Sequence, residues 1–550
     1  MSDQIAIDLL NRKDKLASRR SVWDSHWQEI SDRILPRQAS ITDKERTQGA
    51  KRTEKIYEAQ PALALDRFAA SMEAMITPRG SRWHFLKASA ARLNQVRSVK
   101  VWFEEANAIL FQKRYETKAN YASQQHETYM SVGALGSGCL WVGEDLSRGG
   151  VPFYRSIHLP ECYWAEDQYG FVDVNFRDYR MTARAIAKQF EKQWDALPEK
   201  IRLAANDDPS REFQMLHVVQ PRDDRDLGKI DAINMPFASI YVAADDKQVI
   251  ELGGEQEFPY MASRYVTAPG ETYGRGPAMI VLPDIKMVNE QAKEQIIATH
   301  LKNRPPLLAA RDGLLRKVMM KPGALTRGGI TKEGKQLVQP MDLGIDLQAG
   351  EVGVERRLRT IDDAFLVNLM RALTEHPNMT ATQALMLAQE RGVVMGPTMG
   401  RQQSESVGPM VNRELSILLR NGHLPEMPQE LIDAEGDYEI EYDSPINRAQ
   451  RSEEGLAISR TMEQVIPLAQ FDASVVDNFD LDQIARLTTE INGAPTKILR
   501  DLQDVEARRE ARNQQQQAAQ LAEAAPGVAR AAKDAASAQQ IAAGETESAA

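Results

Sequence analysis

Two stretches of helical periodicity flank a run that cannot be helical. In the first, Ile285, Val288, Ala292 and Ile296 fall on one face, while Lys286, Glu290, Lys293 and Glu294 lie off it. In the second, Val354, Leu358, Ile361, Phe365 and Leu369 recur at threes and fours. Between them runs RPPLLAARDGLLRKVMMKPGALTRGGITKEGKQLVQPMDLGID, broken throughout by glycine and proline. Such a chain has two amphipathic helices bracketing an irregular insertion. Each helix carries an apolar stripe, so each needs a partner surface.

The rest of the chain surrounds this feature with a mixed body. Residues 1–75 read as helical: Trp23, Trp27, Ile30 and Ile34 recur at helical spacing, and Pro36 stops that helix. Further helices fit Ala62–Met75 and Val99–Arg114. From about 130 to 270 the pattern changes to short aromatic and β-branched runs separated by turn residues: CLWVG, VPFYRSIHL, FVDVNFRDYRM, FQMLHVVQ and FASIYVAA. One helix, Thr182–Gln193, interrupts them. A third helical stretch, about 380–420, contains Gly396-Pro397 and Gly408-Pro409, where a kink is expected. The predicted class is α+β, mainly helical. Residues 511–550 are rich in alanine and glutamine and low in large apolar side chains, so frayed helix or disorder is expected there.

Composition narrows the function classes. At 550 residues and 42% hydrophobic content, a large core in two to four domains is expected. A net charge of −10 gives no general reason for tight nucleic-acid binding. Two cysteines, Cys139 and Cys162, fit a reducing compartment and free thiols. The start lacks a signal-peptide pattern. No window reaches the ~18 apolar residues of a membrane helix. These features fit a soluble intracellular chain.

Motifs for bond chemistry fail on inspection. GGITKEGKQ places Gly329, Gly334 and Lys335 at phosphate-loop spacing, but Gln336 stands where Ser or Thr would hold Mg²⁺, and no helix pattern follows. A surface hairpin is the better reading. GALGSG (Gly133, Gly136, Gly138) runs into a strand and reads as a bend with close backbone packing. In ETYGRGPAMIV, the turn Gly274-Arg275-Gly276-Pro277 reads as a hinge whose glycines permit special backbone angles and whose proline starts a helix. The eight histidines, His300 among them, are scattered without zinc spacing, and Asp362-Asp363 point to different helix faces. No catalytic residues, metal ligands or cofactor are expected. One charge feature stands out: Arg304, Arg311, Arg316, Lys317, Lys321, Arg327, Lys332 and Lys335 face only Asp312 and Glu333, a local excess of +6. It reads as a solvated loop or as a docking surface for an acidic partner or DNA.

Taken in order, the segments resemble a known family. ETYGRGPAMIVLPDIKMVN followed by RPPLL, MITPRGSRWHFL, MTATQALMLAQE followed by MGPTMGRQQSE, LLRNGHLPEMP and YDSPINRAQR are similar to the head-to-tail connecting, or portal, proteins of short-tailed tailed phages. The matches run from about residue 60 to 455. Gln383, where the family usually has Glu, and Ile446-Asn447, where Leu-Ala is common, depart from its pattern.

The resemblance implies a portal-type subunit. The wing would be 1–280, the stem helices 281–303 and 348–373, and the clip 304–347. A tunnel loop would follow at 374–379, a kinked helix returning to the wing at 380–429, and wing end and crown at 430–510. Residues 511–550 would form a crown extension or a disordered tail. It also implies a ring of about twelve copies at one capsid vertex. Double-stranded DNA would pass through it during packaging and ejection. The implied partners are further copies of itself, the terminase large subunit, tail adaptor and nozzle proteins, capsid and scaffolding proteins, and internal ejection proteins, with no membrane. The protein would be made in the host bacterial cytoplasm and end in the virion. Two other classes stand beside it: a non-catalytic helical scaffold or capsid-binding protein, and a nucleotide-driven packaging enzyme, which the missing phosphate loop disfavours.

Overall fold

The computed structural model describes residues 2–38, 40–42, 49–229, 231–309, 330–341, 348–367, 396–434, 436–443, 445–469, 471, 473–491, 496–500, 504–518, 533 and 535–537. Its contacts divide into two units: residues 1–85, 106–425 and 440–448, and residues 86–105, 426–439 and 449–550. The class is α+β and mainly helical.

The first unit is organised by helix α1 (Ser2–Ile34). It buries Ala6, Leu9, Trp27, Ile30 and Ile34, the helical repeat expected for its second half continuing toward the N-terminus. The indole N–H of Trp27 donates to Leu135 O at 3.0 Å. Helix α2 (Gln60–Ile76) starts with Pro61 in its first turn, where the missing N–H is harmless, and buries Leu65, Phe68 and Met72. Strand β1 (His84–Ala88) and helix α3 (Arg97–Arg114) follow. Helix α4 (Tyr121–Leu135) is the centre of this unit and packs against α2 and the strands that come next.

The strands form two antiparallel sheets. Strands β2 (Ser137–Asp145), β3 (Val151–Ile157) and β9 (Tyr260–Arg264) make a three-stranded sheet with β2 central. Strands β4 (Cys162–Glu166), β5 (Val172–Thr182), β6 (Glu212–Pro221), β7 (Phe237–Ala243) and β8 (Gln248–Glu255) form a five-stranded meander. Both of its faces are covered. Leu216, Val218, Ile240 and Val242 pack with Ala6 and Leu9 of α1. Phe213, Met215, Ala243 and Ile250 pack with helices α5 (Ala183–Gln189) and α6 (Glu199–Asp207). Double coverage explains the near-continuous apolar run in FQMLHVV. The helix expected at 182–193 is α5 followed by a 3₁₀ segment, Glu191–Ala196, and α6 lies beyond the expected range.

The single-turn helix α7 (Pro277–Ile280) leads into the long helix α8 (Leu282–Asn303). Strand β10 (Leu307–Ala309) pairs antiparallel with β11 (Val338–Pro340), closing the base of the irregular excursion. Helix α9 (Gln348–Ala364) returns along α8. It ends at Ala364, and Leu366 takes φ +58°, a left-handed angle outside the helical range; residues 368–373 of the expected stem helix lie outside the described residues. The proposed tunnel loop, 374–379, and residues 380–395 lie outside the described residues. Helix resumes at 396–402, passes through a π-turn at Gln403–Val407 and continues as α10 (Gly408–Arg420).

The second unit contains α11 (Gln429–Ile432), most of α12 (Pro445–Ala469), α13 (Leu481–Ile491) and a helix at 504–518. Arg509 clamps Asp482 with two bonds of 2.6 and 2.7 Å, tying that last helix to α13. Gly455 lets α12 approach Ile491, because a Cβ there would lie 2.9 Å from that side chain. Most of the alanine- and glutamine-rich tail lies outside the described residues.

Candidate functional site

The two glycine motifs meet. Gly136 caps α4 at φ +75°, and its backbone lies against that of Gly274 and Gly276. A Cβ on Gly136 would run into Gly274 O, and one on Gly276 would sit 2.8 Å from Gly136 N and Val132 O. Hydrogen bonds fix the junction: Tyr265 N–H to Gly136 O at 3.0 Å and Gly274 N–H to Ser137 Oγ at 2.8 Å. Arg275 N–H donates to Val266 O at 2.6 Å. The expectation that Gly274 and Gly276 exploit special backbone angles is corrected. Gly276 has φ −95°, and Gly274 is not among the positive-φ glycines. They are glycines because two backbones touch there. The amides of Gly274 and Arg275 are committed to this junction and do not form a phosphate cradle. Pro277 then opens α7 in its first turn, where its missing N–H is not needed.

GGITKEGKQ also resolves in its described part. Ile330 and Gln336 bridge antiparallel, Gly334 turns at φ +84°, and Thr331 N–H donates to Lys335 O at 2.9 Å. Strand β11 follows instead of the helix that a phosphate loop requires. Arg304, Lys332 and Lys335 are exposed on this excursion. Arg311, Arg316, Lys317, Lys321 and Arg327 lie outside the described residues.

The return helix is fastened to the body by three arginine networks that sequence reading did not find. Arg114 is fully buried and grips Glu414 of α10 with bonds of 3.0 and 3.1 Å from Nε and a short contact of 2.5 Å from Nη2. The Tyr154 hydroxyl donates to the same carboxylate at 2.5 Å, and the Arg114 guanidinium lies over the Trp83 and Phe111 rings. Burial works against the charge of Arg114, and Glu414 more than offsets it, so its pKa is raised. Burial and the Arg114 charge hold His84 well below the usual histidine range. Arg413 donates to Val142 O at 2.7 Å, Glu257 O at 2.9 Å and the Glu255 carboxylate at 2.9 Å.

Arg264 is the third. It pairs with Glu405 inside the π-turn at 2.8 Å, touches Glu166, and donates to Thr272 O and Gly170 O at 3.1 and 2.7 Å. One guanidinium thus joins β9, the β4–β5 turn, the approach to α7 and the return helix. The π-turn has a local cause. Pro409 has no N–H for the carbonyl four residues back, and the N–H of Gly408 reaches Gln403 O, five residues back. Gly396 and Pro397 open the described run 396–402. These charged residues look like ordinary surface charges in the sequence, since no spacing links positions up to 300 residues apart.

His217 gives a pH-dependent readout of the core. It stacks on Tyr241 at 3.9 Å and lies 2.6 Å from the Tyr260 hydroxyl and 2.9 Å from Ser239 Oγ. Burial, helped by Arg177 and Arg413, brings its pKa down to about 3. An unfolded histidine titrates near 6.5. The unfolded chain therefore takes the proton first, so this contribution is complete above about pH 6.5 and is lost as pH falls toward about 3. Between pH 6.5 and 5 the loss should reach about 2 kcal/mol. Urea titrations at several pH values should show His217→Gln losing that part of the pH slope; an unchanged slope would contradict the assignment.

Helix α8 presents the clearest unsatisfied surface. Its first half is anchored: Ile285 and Val288 are buried, Asp284 pairs with Arg357 of α9 at 3.0 Å, and Lys286 pairs with Glu29 at 2.6 Å. The Asn289 side chain accepts from Tyr57 N–H at 2.7 Å and donates to Lys55 O at 2.8 Å. Its second half leaves the body. Ile296, expected on the buried stripe, is 47% exposed. Among the described residues no cluster of three or more His, Cys, Asp or Glu could hold a metal, and no helix is long and apolar enough to cross a membrane.

Buried arginines bolt helices to sheets, and part of α8 leaves apolar surface uncovered. The chain belongs to the bacteriophage head to tail connecting protein family, whose model matches residues 7–499. That family is a structural, non-catalytic phage component. A probable portal protein of Bordetella phage BPP-1 is 28% identical over 94% of this chain and 92% of its own. The portal protein of Salmonella phage epsilon15 is 26% identical over 93% and 92%. A chain from the virion of a native gene transfer agent particle aligns over 78% of this chain and 94% of its own, with 11% identity and a TM-score of 0.31, too distant to place individual elements.

Proposed function

We propose that this protein is a phage portal subunit. About twelve copies would form a ring at one capsid vertex, with double-stranded DNA passing through during packaging and ejection. The observation that carries this is the family match across residues 7–499, joined by two relatives named portal proteins that align over nine-tenths of their length. In this reading the first unit supplies the wing. Helices α8 and α9 are the stem, the excursion 304–347 is the clip, and the second unit carries the crown. The glycine junction at 136 and 274–276 sets the angle at which the stem leaves the wing. The π-turn and its arginine network hold the return helix.

The basic excess of +6 at 304–336 would be repeated by every copy and would form a positive belt at one end of the channel. With a Debye length of ~8 Å at physiological salt, only a close partner feels it. A terminase large subunit or tail adaptor with an acidic face fits better than DNA, whose tight binding would oppose sliding. Capsid, scaffolding and internal ejection proteins are the other partners in this reading. Phage lacking the gene should fill no heads, and supplying the chain should restore packaging. Supplying Arg316→Glu, Lys317→Glu, Lys321→Glu should give rings and a loss of packaged DNA of at least about tenfold. Filled heads without the chain would refute the portal reading; normal packaging by the variant would reduce the basic segment to a solvated loop.

A further inference from the structure

The two cysteines stand on different sheets and meet between them. Cys139 lies on β2, opposite Ile157 of β3. From Ile157 the chain passes only His158 and a 3₁₀ turn, Leu159–Glu161, before Cys162 opens β4. Both side chains are wholly buried, both are free thiols, and they hydrogen-bond each other. The backbone around Cys162 is held from several elements. Its carbonyl accepts from Arg20 of α1 at 2.5 Å and from the Tyr273 hydroxyl at 3.2 Å. Arg177, its cross-strand neighbour on β5, bonds Glu161 at 3.1 Å. Burial and the adjoining thiol push Cys139 well above the usual cysteine range. Sealed and protonated, the pair is closed to bulky thiol reagents, and only a water-sized one is small enough to reach it.

We propose that Cys139 and Cys162 are a cross-linking site, whose two thiols close to a disulfide when a small peroxide reaches them. One thiol gives up its proton, and its sulfur attacks the peroxide and breaks the O–O bond. The products are a sulfenic acid and water. The second sulfur then displaces hydroxide from the sulfenic acid, and its proton leaves with that hydroxide as a second water. Two electrons pass from the sulfur pair to one hydrogen peroxide. Closure brings the sulfurs from hydrogen-bond contact to ~2.05 Å, a shift on the scale of side-chain rotation. The bond would tie β2 to β4 beside the glycine junction: β2 starts at Ser137, next to Gly136, and Tyr273 precedes Gly274. Such a staple is open in a reducing compartment and closed in an oxidising one. It adds stability mainly by restricting the unfolded chain.

The test uses the full chain, purified with reductant, freed of it and treated with hydrogen peroxide. Catalase, iodoacetamide and denaturant then stop the reaction together, so that no link forms after unfolding. Peptide mapping by mass spectrometry should find the Cys139 and Cys162 peptides joined in most treated chains and both alkylated in untreated ones. Dithiothreitol should release the link. The oxidised chain should melt about 5 °C higher than the reduced one. Cys139→Ala and Cys162→Ala, treated alike, should join nothing and show no rise, which separates the cross-link from oxidation of methionine. If both cysteines are still alkylated after peroxide, the site is wrong. It is equally wrong if one thiol gains oxygen while the other stays free, or if the link joins two chains. Because the joined peptides are read from the unmodified chain, an unstable alanine variant leaves the test intact.

Discussion

Glu414→Ala should destabilise the protein by about 3–5 kcal/mol, one of the largest single-residue effects expected in the chain. The reason lies in what remains. Arg114 is wholly buried and its charge is countered chiefly by Glu414, whose side chain is 1% exposed. His84 stands 2.8 Å from the guanidinium and is held neutral, so it cannot substitute. Removing the carboxylate leaves a cation in the core and strips the Tyr154 hydroxyl of its acceptor. The double replacement Arg114→Met, Glu414→Leu should recover much of the loss, because a buried pair exchanged for apolar groups of similar volume is often close to neutral. Chemical denaturation of the three variants measures this. A single-variant loss below about 1 kcal/mol would mean that the pair is not buried as described.

Gly136→Val should be comparably severe, at least about 3 kcal/mol. Two penalties add. A β-branched residue at φ +75° is strained, and its Cβ would overlap the backbone of Gly274, which has no side chain to move aside. Gly170 separates the two terms. It has φ +84° but open space around the Cβ position, so Gly170→Val carries the strain without the overlap. Thermal melts should place Gly136→Val well below Gly170→Val. Equal melting points would show that the junction yields, as a hinge would.

Legibility in the sequence followed the physics of each element. Helix α1 was readable because one face is solvated, which leaves a repeat of threes and fours. Helix α4 was not, since Tyr121, Tyr129, Val132, Ala134 and Leu135 are buried around much of its circumference and blur the repeat. Strand β6 was readable as an apolar run; β8, interrupted by Gly253 and Gly254, and β9, ending in a buried arginine, were not. The left-handed angle at Leu366 was not legible, because leucine is an ordinary helix former and nothing local announces it. GALGSG was visible as a packing signal, whereas Gly274 and Gly276 read as a hinge of special angles, because the meeting of the two motifs is a tertiary fact between residues far apart in the chain. The arginine networks share that origin. The outer face of α8 was half visible: Glu290 and Glu294 were seen off the apolar stripe, while the exposure of Ile297 and Leu301 depends on where the helix leaves the body.

The central claim is that this chain works as a closed ring, and native mass measurement of the purified assembly tests it most directly. At 61.6 kDa per subunit, the account predicts a single assembly of about twelve subunits, appearing as rings with an open centre by electron microscopy. A stable monomer or dimer at micromolar concentration would contradict it.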